Sequence, residues 1–146
     1  EYIEDVTGAI SEAMRCLKPG GRLVVSDLHA GSFIWYSDVP ERMAKLIASW
    51  EQHFVAGELP ARLPGIVKHL GHHVENVVPV TITEHVLKPD GYASTMMHLL
   101  RQYAIANKHV DADTADDWFN EQISLAREGR FFFSITQFVL SACKSA

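Results

Sequence analysis

The sequence predicts an α/β domain. Along its 146 residues, runs with helix-type apolar spacing alternate with runs rich in β-branched and aromatic residues. The order is helix, strand, two helices, strand, two helices, strand, with strands near 22–28, 74–86 and 131–142. Three strands so far apart are too few for an all-β fold. We expect residues 1–146 to form a single domain, because a chain of this length can bury a sizeable core.

The composition argues against several classes of protein. Hydrophobic residues make up 47% and charged residues 21%, as in ordinary globular proteins. A net charge of -5 without any Lys/Arg cluster argues against a nucleic-acid partner. No apolar run approaches the roughly 20 residues of a membrane span, so no membrane partner is expected. Cys16 and Cys143 form neither a disulfide framework nor a metal-type pair, which predicts a cytoplasmic location.

The first helix and strand form the most informative run. Helical spacing of apolar residues predicts a helix from Val6 to Leu17, with Asp5 or Thr7 as its N-cap residue. Pro19-Gly20-Gly21 ends that helix, because proline continues a helix poorly and glycine accepts a positive φ. Arg22 to Leu28 is apolar without alternation, which is typical of a parallel strand covered on both faces.

The segment after this strand is predicted as a loop followed by two helices. His29 to Asp38 reads as a loop that carries exposed aromatic residues, among them Trp35 and Tyr36. Apolar stripes predict one helix from Pro40 to about Ala56 and another from about Pro60 to Leu70.

The second half of the chain contains two strands that flank two helices. Alternating β-branched residues predict a strand from Val74 to Val86, in which Pro79 indicates a sheet edge or a bulge. Helices are predicted from Tyr92 to Asn107 and from Ala115 to Arg127. The last strand is expected from Phe131 to Ala142.

These elements resemble the C-terminal half of a class I S-adenosylmethionine-dependent methyltransferase of the small-molecule type. The helix Ile10 to Leu17, the turn Lys18-Pro19-Gly20-Gly21 and the strand Arg22 to Asp27 carry the resemblance. In that family a helix, such a turn and the fifth strand follow in this order. Arg62 to Gly71 is similar to the helix before the family's penultimate strand, although His72 stands where the family usually has an aromatic residue.

The resemblance implies a fold and an activity. It implies a Rossmann-like sheet of seven strands with an antiparallel last strand, so that Glu75 to Val86 and Phe131 to Ala142 form the reversed final hairpin. The helical segments 30–71 and 90–129 would cover the substrate. The implied reaction is methyl transfer from S-adenosylmethionine to a small-molecule acceptor.

One departure from the family concerns the methyl donor. The family's Gly-rich donor loop and the acid after its second strand precede this motif, and Gly20-Gly21 is not that loop because it precedes a strand. The chain also begins at Glu1 without Met. We therefore expect the N-terminal half of the fold to be absent and the chain to be inactive alone. The resemblance places Glu1-Tyr2-Ile3 after the family's fourth strand and implies a cofactor contact for Tyr2.

Asp27 and His29 follow the predicted parallel strand, where ligands bind in open α/β sheets. His29 is the predicted general base, because an imidazole can accept and release a proton near neutral pH. The alternative is a loop histidine bonded to backbone or water. Asp27 is assigned to substrate binding. Trp35 and Tyr36 are interpreted as an aromatic wall for the substrate or, alternatively, as packing residues. Arg62 is assigned to the substrate site as a partner for a carboxylate, with a solvated arginine as the alternative.

The histidines His69, His72 and His73 do not predict a metal site, because Gly71 interrupts the helix that would bring them together. Two alternatives to an enzyme remain. A half-domain would expose the edge of strand Arg22 to Leu28, which predicts a non-catalytic module with homo-oligomers or strand exchange. A small protein that binds an apolar ligand would explain the helices and aromatic residues, but not the Lys-Pro-Gly-Gly turn.

Overall fold

The computed structural model describes residues 2–145. The helices in this range are α1 Val6–Cys16, α2 Pro40–Glu51, α3 Leu59–His69, α4 Tyr92–Ala106 and α5 Ala112–Arg127. The strands are β1 Arg22–Leu28, β2 Ile34–Trp35, β3 His73–Glu84 and β4 Phe133–Cys143, and Ala30–Ser32 forms one 3₁₀ turn. The predicted α/β class is confirmed: the described residues form five α-helices and an open, four-stranded antiparallel sheet.

Strand β4 pairs with each of the other three strands. β1 runs antiparallel to it, with Arg22 opposite Cys143 and Leu28 opposite Gln137. β2 is also antiparallel to β4, and Trp35 lies opposite Phe133. Within residues 2–145, no helix has the length and apolar character that a membrane crossing requires.

The described chain divides into two compact units. The first comprises residues 2–32, 54–81 and 136–145, and the second comprises 33–53 and 82–135. The strands β3 and β4 contribute residues to both. The single domain expected from the sequence stays a prediction.

The core of the first unit is mainly aliphatic. Val6, Ile10 and Met14 recur every four residues along α1 and therefore share one face of this helix. They form one buried cluster with α3 and β4, whose members include Leu59, Leu63, Val67, Leu140 and Ala142. The predicted N-cap residue is confirmed, since the Asp5 carboxylate accepts a 2.8 Å hydrogen bond from the Gly8 N–H. This bond satisfies one of the free amides at the start of α1.

The turn between α1 and β1 depends on a glycine. Gly20 has φ +74°, in the left-handed region that glycine adopts without a Cβ clash. The Gly21 N–H donates to the Lys18 carbonyl at 2.8 Å and closes the turn. Lys144 then pairs with both glycines through its backbone, so the residue after β4 holds the start of β1.

The expected environment of β1 is wrong. Leu23 and Val25 pack against the aliphatic core, whereas Arg22 and Val24 are exposed, so only one face of the strand is covered. The parallel pairing expected for β1 does not occur among the described strands, because its neighbour β4 runs antiparallel. The apolar run indicated a strand correctly, but it did not indicate how many faces are buried.

The core of the second unit contains a cluster of aromatic rings beside aliphatic and methionine side chains. Trp35 packs with Trp118 at 5.5 Å and with Phe133 at 4.5 Å between ring centroids. The predicted exposure of Trp35 is wrong, because β2 pairs with β4 and leaves this side chain only 7% exposed. Helix α2 also ends at Glu51 instead of Ala56, since hydrogen bonds from Gln52 to Ser49 and from His53 to Trp50 close it in tight turns.

Candidate functional site

A cavity of about 250 Å³ lies beside His29 in the first unit. Helix α3 supplies one wall through Pro60, Ala61 and Pro64, and Pro60 and Pro64 share a face because they are four residues apart. Val77 of β3 and Phe138 of β4 complete the lining. We call this the His29 cavity.

The backbone of His29 is firmly held. Its N–H donates to the Thr136 carbonyl at 3.1 Å, which continues the pairing of β1 with β4. Its carbonyl accepts bonds from the N–H of Ser32 at 2.9 Å and from the Ser32 hydroxyl at 2.7 Å. The position of the imidazole at the cavity therefore follows from the sheet and the 3₁₀ turn.

The His29 ring, unlike the His29 backbone, lies against an aromatic side chain. It meets the Phe138 ring edge-on, with 6.2 Å between centroids and an angle of 83° between planes. The Nδ1 atom is buried and has no hydrogen-bond partner among the described residues. The sequence left open a loop histidine bonded to backbone. The Nδ1 atom makes no such bond to the described residues.

Asp27 lies two residues before His29 and opposite Phe138 in the β1–β4 register. Residues opposite each other in an antiparallel pair share a face of the sheet, so Asp27 and Phe138 project to the same side. The Asp27 carboxylate accepts a 2.9 Å bond from the Leu28 N–H. Its role in substrate binding stays a prediction.

Arg62 and Tyr2 also belong to the first unit. Arg62 follows the cavity residue Ala61 on α3; it is exposed, and no ion pair in the described part of the chain includes it. Tyr2 is 57% exposed, and its ring lies 6.2 Å from that of Phe54. Glu1, predicted to belong to the same segment as Tyr2, lies outside the described residues. The substrate role of Arg62 and the cofactor role of Tyr2 stay predictions.

Trp35 and Tyr36 lie in the second unit. The burial of Trp35 agrees with a packing role. The Tyr36 hydroxyl donates to Asp38 and accepts from Arg130, each at 2.9 Å, while the guanidinium lies 5.4 Å from the ring centroid. Hydrogen bonds from Arg130 and Tyr36 lower the pKa of Asp38, and the bond to Asp38 is the main cause that raises the pKa of Arg130. The aromatic wall stays a prediction.

Most residues of the His29 cavity were not singled out from the sequence. Pro60, Pro64, Val77 and Phe138 come from three separate elements. One local signal existed, because prolines four residues apart near the start of a helix must share a face. Nothing local indicates that Val77 and Phe138 lie next to them, since strand pairing brings these positions together.

Neither the turn before β1 nor the start of α1 resembles a Gly-rich loop for S-adenosylmethionine. The two adjacent glycines precede β1, and Asp5 caps the first amides of α1 with a negative carboxylate, where a donor loop would need free amides. Among residues 2–145, no three His, Cys, Asp or Glu side chains are placed to hold a metal ion.

Comparison with known proteins leaves the family open. No model of a known protein family matches the chain, and no curated protein matches its sequence.

Proposed function

We propose that this chain binds the small-molecule acceptor of an S-adenosylmethionine-dependent methyl transfer reaction and supplies the acceptor side of the active site. The run from Leu17 to Asp27 and the antiparallel last strand β4 support the proposal. The observation that carries it is the position of His29. This residue directly follows β1 and lines an apolar cavity with an imidazole whose Nδ1 no described residue bonds.

In this proposal His29 is the general base. A hydroxyl or amine becomes a stronger nucleophile when its proton leaves, and an imidazole accepts such a proton near neutral pH. The wall from α3, β3 and β4 holds the acceptor and orients it, which is the larger part of catalysis in a reaction of this kind. The bound donor would supply an electrophilic methyl group and would be held by residues outside this sequence.

Methyl transfer by the natural gene product that contains these residues tests the proposal. It is incubated with S-adenosylmethionine labelled in the methyl group and with a panel of small-molecule acceptors, and we expect label in an acceptor. His29→Ala is expected to lower kcat by about 10²- to 10⁴-fold, the usual contribution of a general base. His69→Ala is the matched control, because His69 is an exposed histidine of the same unit outside the cavity. Absence of transfer, or equal rates for the two variants, would contradict the proposal.

A second experiment tests where the donor binds. Isothermal titration of residues 1–146 with S-adenosylmethionine is expected to show no micromolar binding. Saturable micromolar binding would contradict the assignment of the donor site to residues outside this sequence.

A non-catalytic, dimerising module is the second candidate, and β1 favours it. Within residues 2–145 this strand pairs only with β4, and Val24 on it is 58% exposed. A strand edge with open hydrogen-bonding groups promotes pairing between chains. Light scattering is expected to show dimers at high concentration, and Val24→Lys should favour monomers because an edge charge opposes pairing. A monodisperse monomer at every concentration would count against this candidate.

A further inference from the structure

We propose that the His29 cavity binds a neutral aromatic ring that carries a hydroxyl group. This inference rests on the proposed function, because the hydroxylated ring would be the methyl acceptor. Four properties of the cavity support this proposal: its lack of charged side chains, its volume, the side-chain rings in its walls and its single polar side chain.

The lack of charge excludes an ionised ligand. The lining contains no Asp, Glu, Lys or Arg, and an unpaired charge is costly to bury. The first turn of a helix usually attracts anions through its free amides. Pro60 lies in the first turn of α3 and has no N–H, so this wall lacks one of the donors that a carboxylate or phosphate would need.

The volume limits the ligand to a small ring system. The cavity measures about 250 Å³. A buried apolar cavity of about 150 Å³ is already large enough to bind benzene. Pockets for drug-sized ligands begin at about 300 Å³. One substituted ring, or two fused rings, matches the intermediate volume.

The walls favour an aromatic ring over a flexible chain. Phe138 and His29 stand nearly perpendicular to each other and offer both a ring face and a ring edge. Aromatic rings prefer edge-to-face or offset contacts of this kind. Val77 and the two proline rings supply further rigid apolar surface.

His29 accounts for the hydroxyl group. It is the only one of the six lining residues whose side chain can form a hydrogen bond. Its buried Nδ1 has no partner among the described residues, and a polar atom left in that state is unfavourable. A hydroxyl both donates and accepts, so it can pair with either tautomer of the imidazole.

Four small probes test the ligand class on the 146-residue chain by NMR titration: 4-methylphenol, toluene, 4-methylcyclohexanol and 4-methylbenzoate. We expect 4-methylphenol to bind at least about tenfold more tightly than each of the other three, and to shift the resonances of Val77 and Phe138. The proposal is wrong if the binding of 4-methylphenol does not saturate. It is also wrong if 4-methylbenzoate or 4-methylcyclohexanol binds as tightly as 4-methylphenol.

Two neighbouring valines of β3 provide a matched pair of variants. Val77 lines the cavity and is 37% exposed, whereas Val78 does not line it and is 42% exposed. Val77→Phe should fill the cavity and lower the affinity for 4-methylphenol by about tenfold or more. Val78→Phe should leave the affinity for 4-methylphenol unchanged. His29→Phe should abolish the preference for 4-methylphenol over toluene. Equal affinities in the two valine variants, or a preference that survives His29→Phe, would overturn the proposal.

The ligand class and the proposed function can fail separately. If 4-methylphenol binds but the natural gene product methylates no acceptor, the acceptor role and the proposed function are wrong and the ligand class stands. If methyl transfer occurs while 4-methylphenol does not bind, the ligand class alone is wrong.

Discussion

The two compact units differ in how they use their polar and aromatic side chains. In the first unit an aliphatic cluster from α1, α3 and β4 forms the core, and His29 lines a cavity beside it. In the second unit Trp118 and Phe133 pack on Trp35 within a core that also contains aliphatic and methionine side chains. The carboxylate of Glu121 in that unit is bonded on several sides.

This difference shows which feature marks a candidate site. Buried polar atoms without a described partner also occur in the second unit, at Trp35 Nε1 and Gln122 Oε1. Both side chains lie in packed interior, where Gln122 is fully buried. His29 differs because it lines a cavity of about 250 Å³. Lack of a partner together with cavity space distinguishes it, and burial alone does not.

Removing the central ring of the second unit should produce the largest effect. Trp118 is fully buried, packs on Trp35 and donates its indole N–H to the Met43 sulfur at 3.0 Å. Trp118→Ala is expected to lower the free energy of unfolding by about 3–5 kcal/mol, because it leaves a large cavity. Urea unfolding followed by circular dichroism measures this loss. Trp118→Phe keeps a ring and should lower the free energy of unfolding by clearly less. A loss below about 1 kcal/mol for Trp118→Ala would contradict a central place for Trp118 in the core.

The carboxylate of Glu121 should contribute the next largest effect. It accepts bonds from the Ser37 hydroxyl at 2.8 Å, the Asp38 N–H at 2.6 Å and Arg42 at 2.8 Å. Glu121→Ala is expected to cost about 2–3 kcal/mol, since it leaves the half-buried Arg42 without its main partner. Glu128→Ala is the control, because it removes one partner of an exposed ion pair with Arg130. It should lower the free energy of unfolding by less than about 1 kcal/mol.

The same carboxylate predicts a pH dependence. Burial alone would raise the pKa of Glu121, but the bonds from Arg42, Ser37 and Asp38 outweigh burial and lower the pKa below 4.5. A lowered folded-state pKa gives stability that is present above pH 4.5 and is lost as the pH falls through the folded value. The stability difference between wild type and Glu121→Gln should therefore shrink in acid. An unchanged difference between neutral pH and about pH 3 would contradict this origin.

Two glycines of the first unit should respond in opposite directions. Gly20→Ala is expected to cost about 1 kcal/mol, because φ +74° is unfavourable for a residue with a Cβ atom. Gly65→Ala should stabilise by about 0.5–1 kcal/mol, since this glycine lies inside α3. An added Cβ there would meet no atom within 4 Å. Thermal unfolding of both variants checks the pair, and a shift of equal sign would contradict the turn geometry.

His29→Phe should have the smallest effect on stability. The new ring keeps the contact with Phe138, and the change removes a nitrogen that no described residue bonds. We expect the free energy of unfolding to stay within about 0.5 kcal/mol of wild type. A loss above about 2 kcal/mol would show that His29 serves stability in the way Glu121 does.

Local sequence patterns predicted most elements for clear physical reasons. The four-residue repeat on α1, the Asp5 cap and the Pro19-Gly20-Gly21 turn each depend on neighbours in the chain. The strand β2 was missed because its two residues become a strand only by pairing with Ser134 and Phe133 of β4. Val77 and Phe138 of the His29 cavity were missed for the same reason, because only strand pairing brings them together.

The sequence by itself determined the five helices, three of the four described strands and the turn before β1, because capping, glycine φ angles and apolar spacing act within a few residues. It also singled out His29 through its place after β1. Only the tertiary structure decided that β1 is covered on one face, that Trp35 is buried and that His29 lines a cavity. Each of these depends on β4, which begins at Phe133, about a hundred residues after its partners β1 and β2.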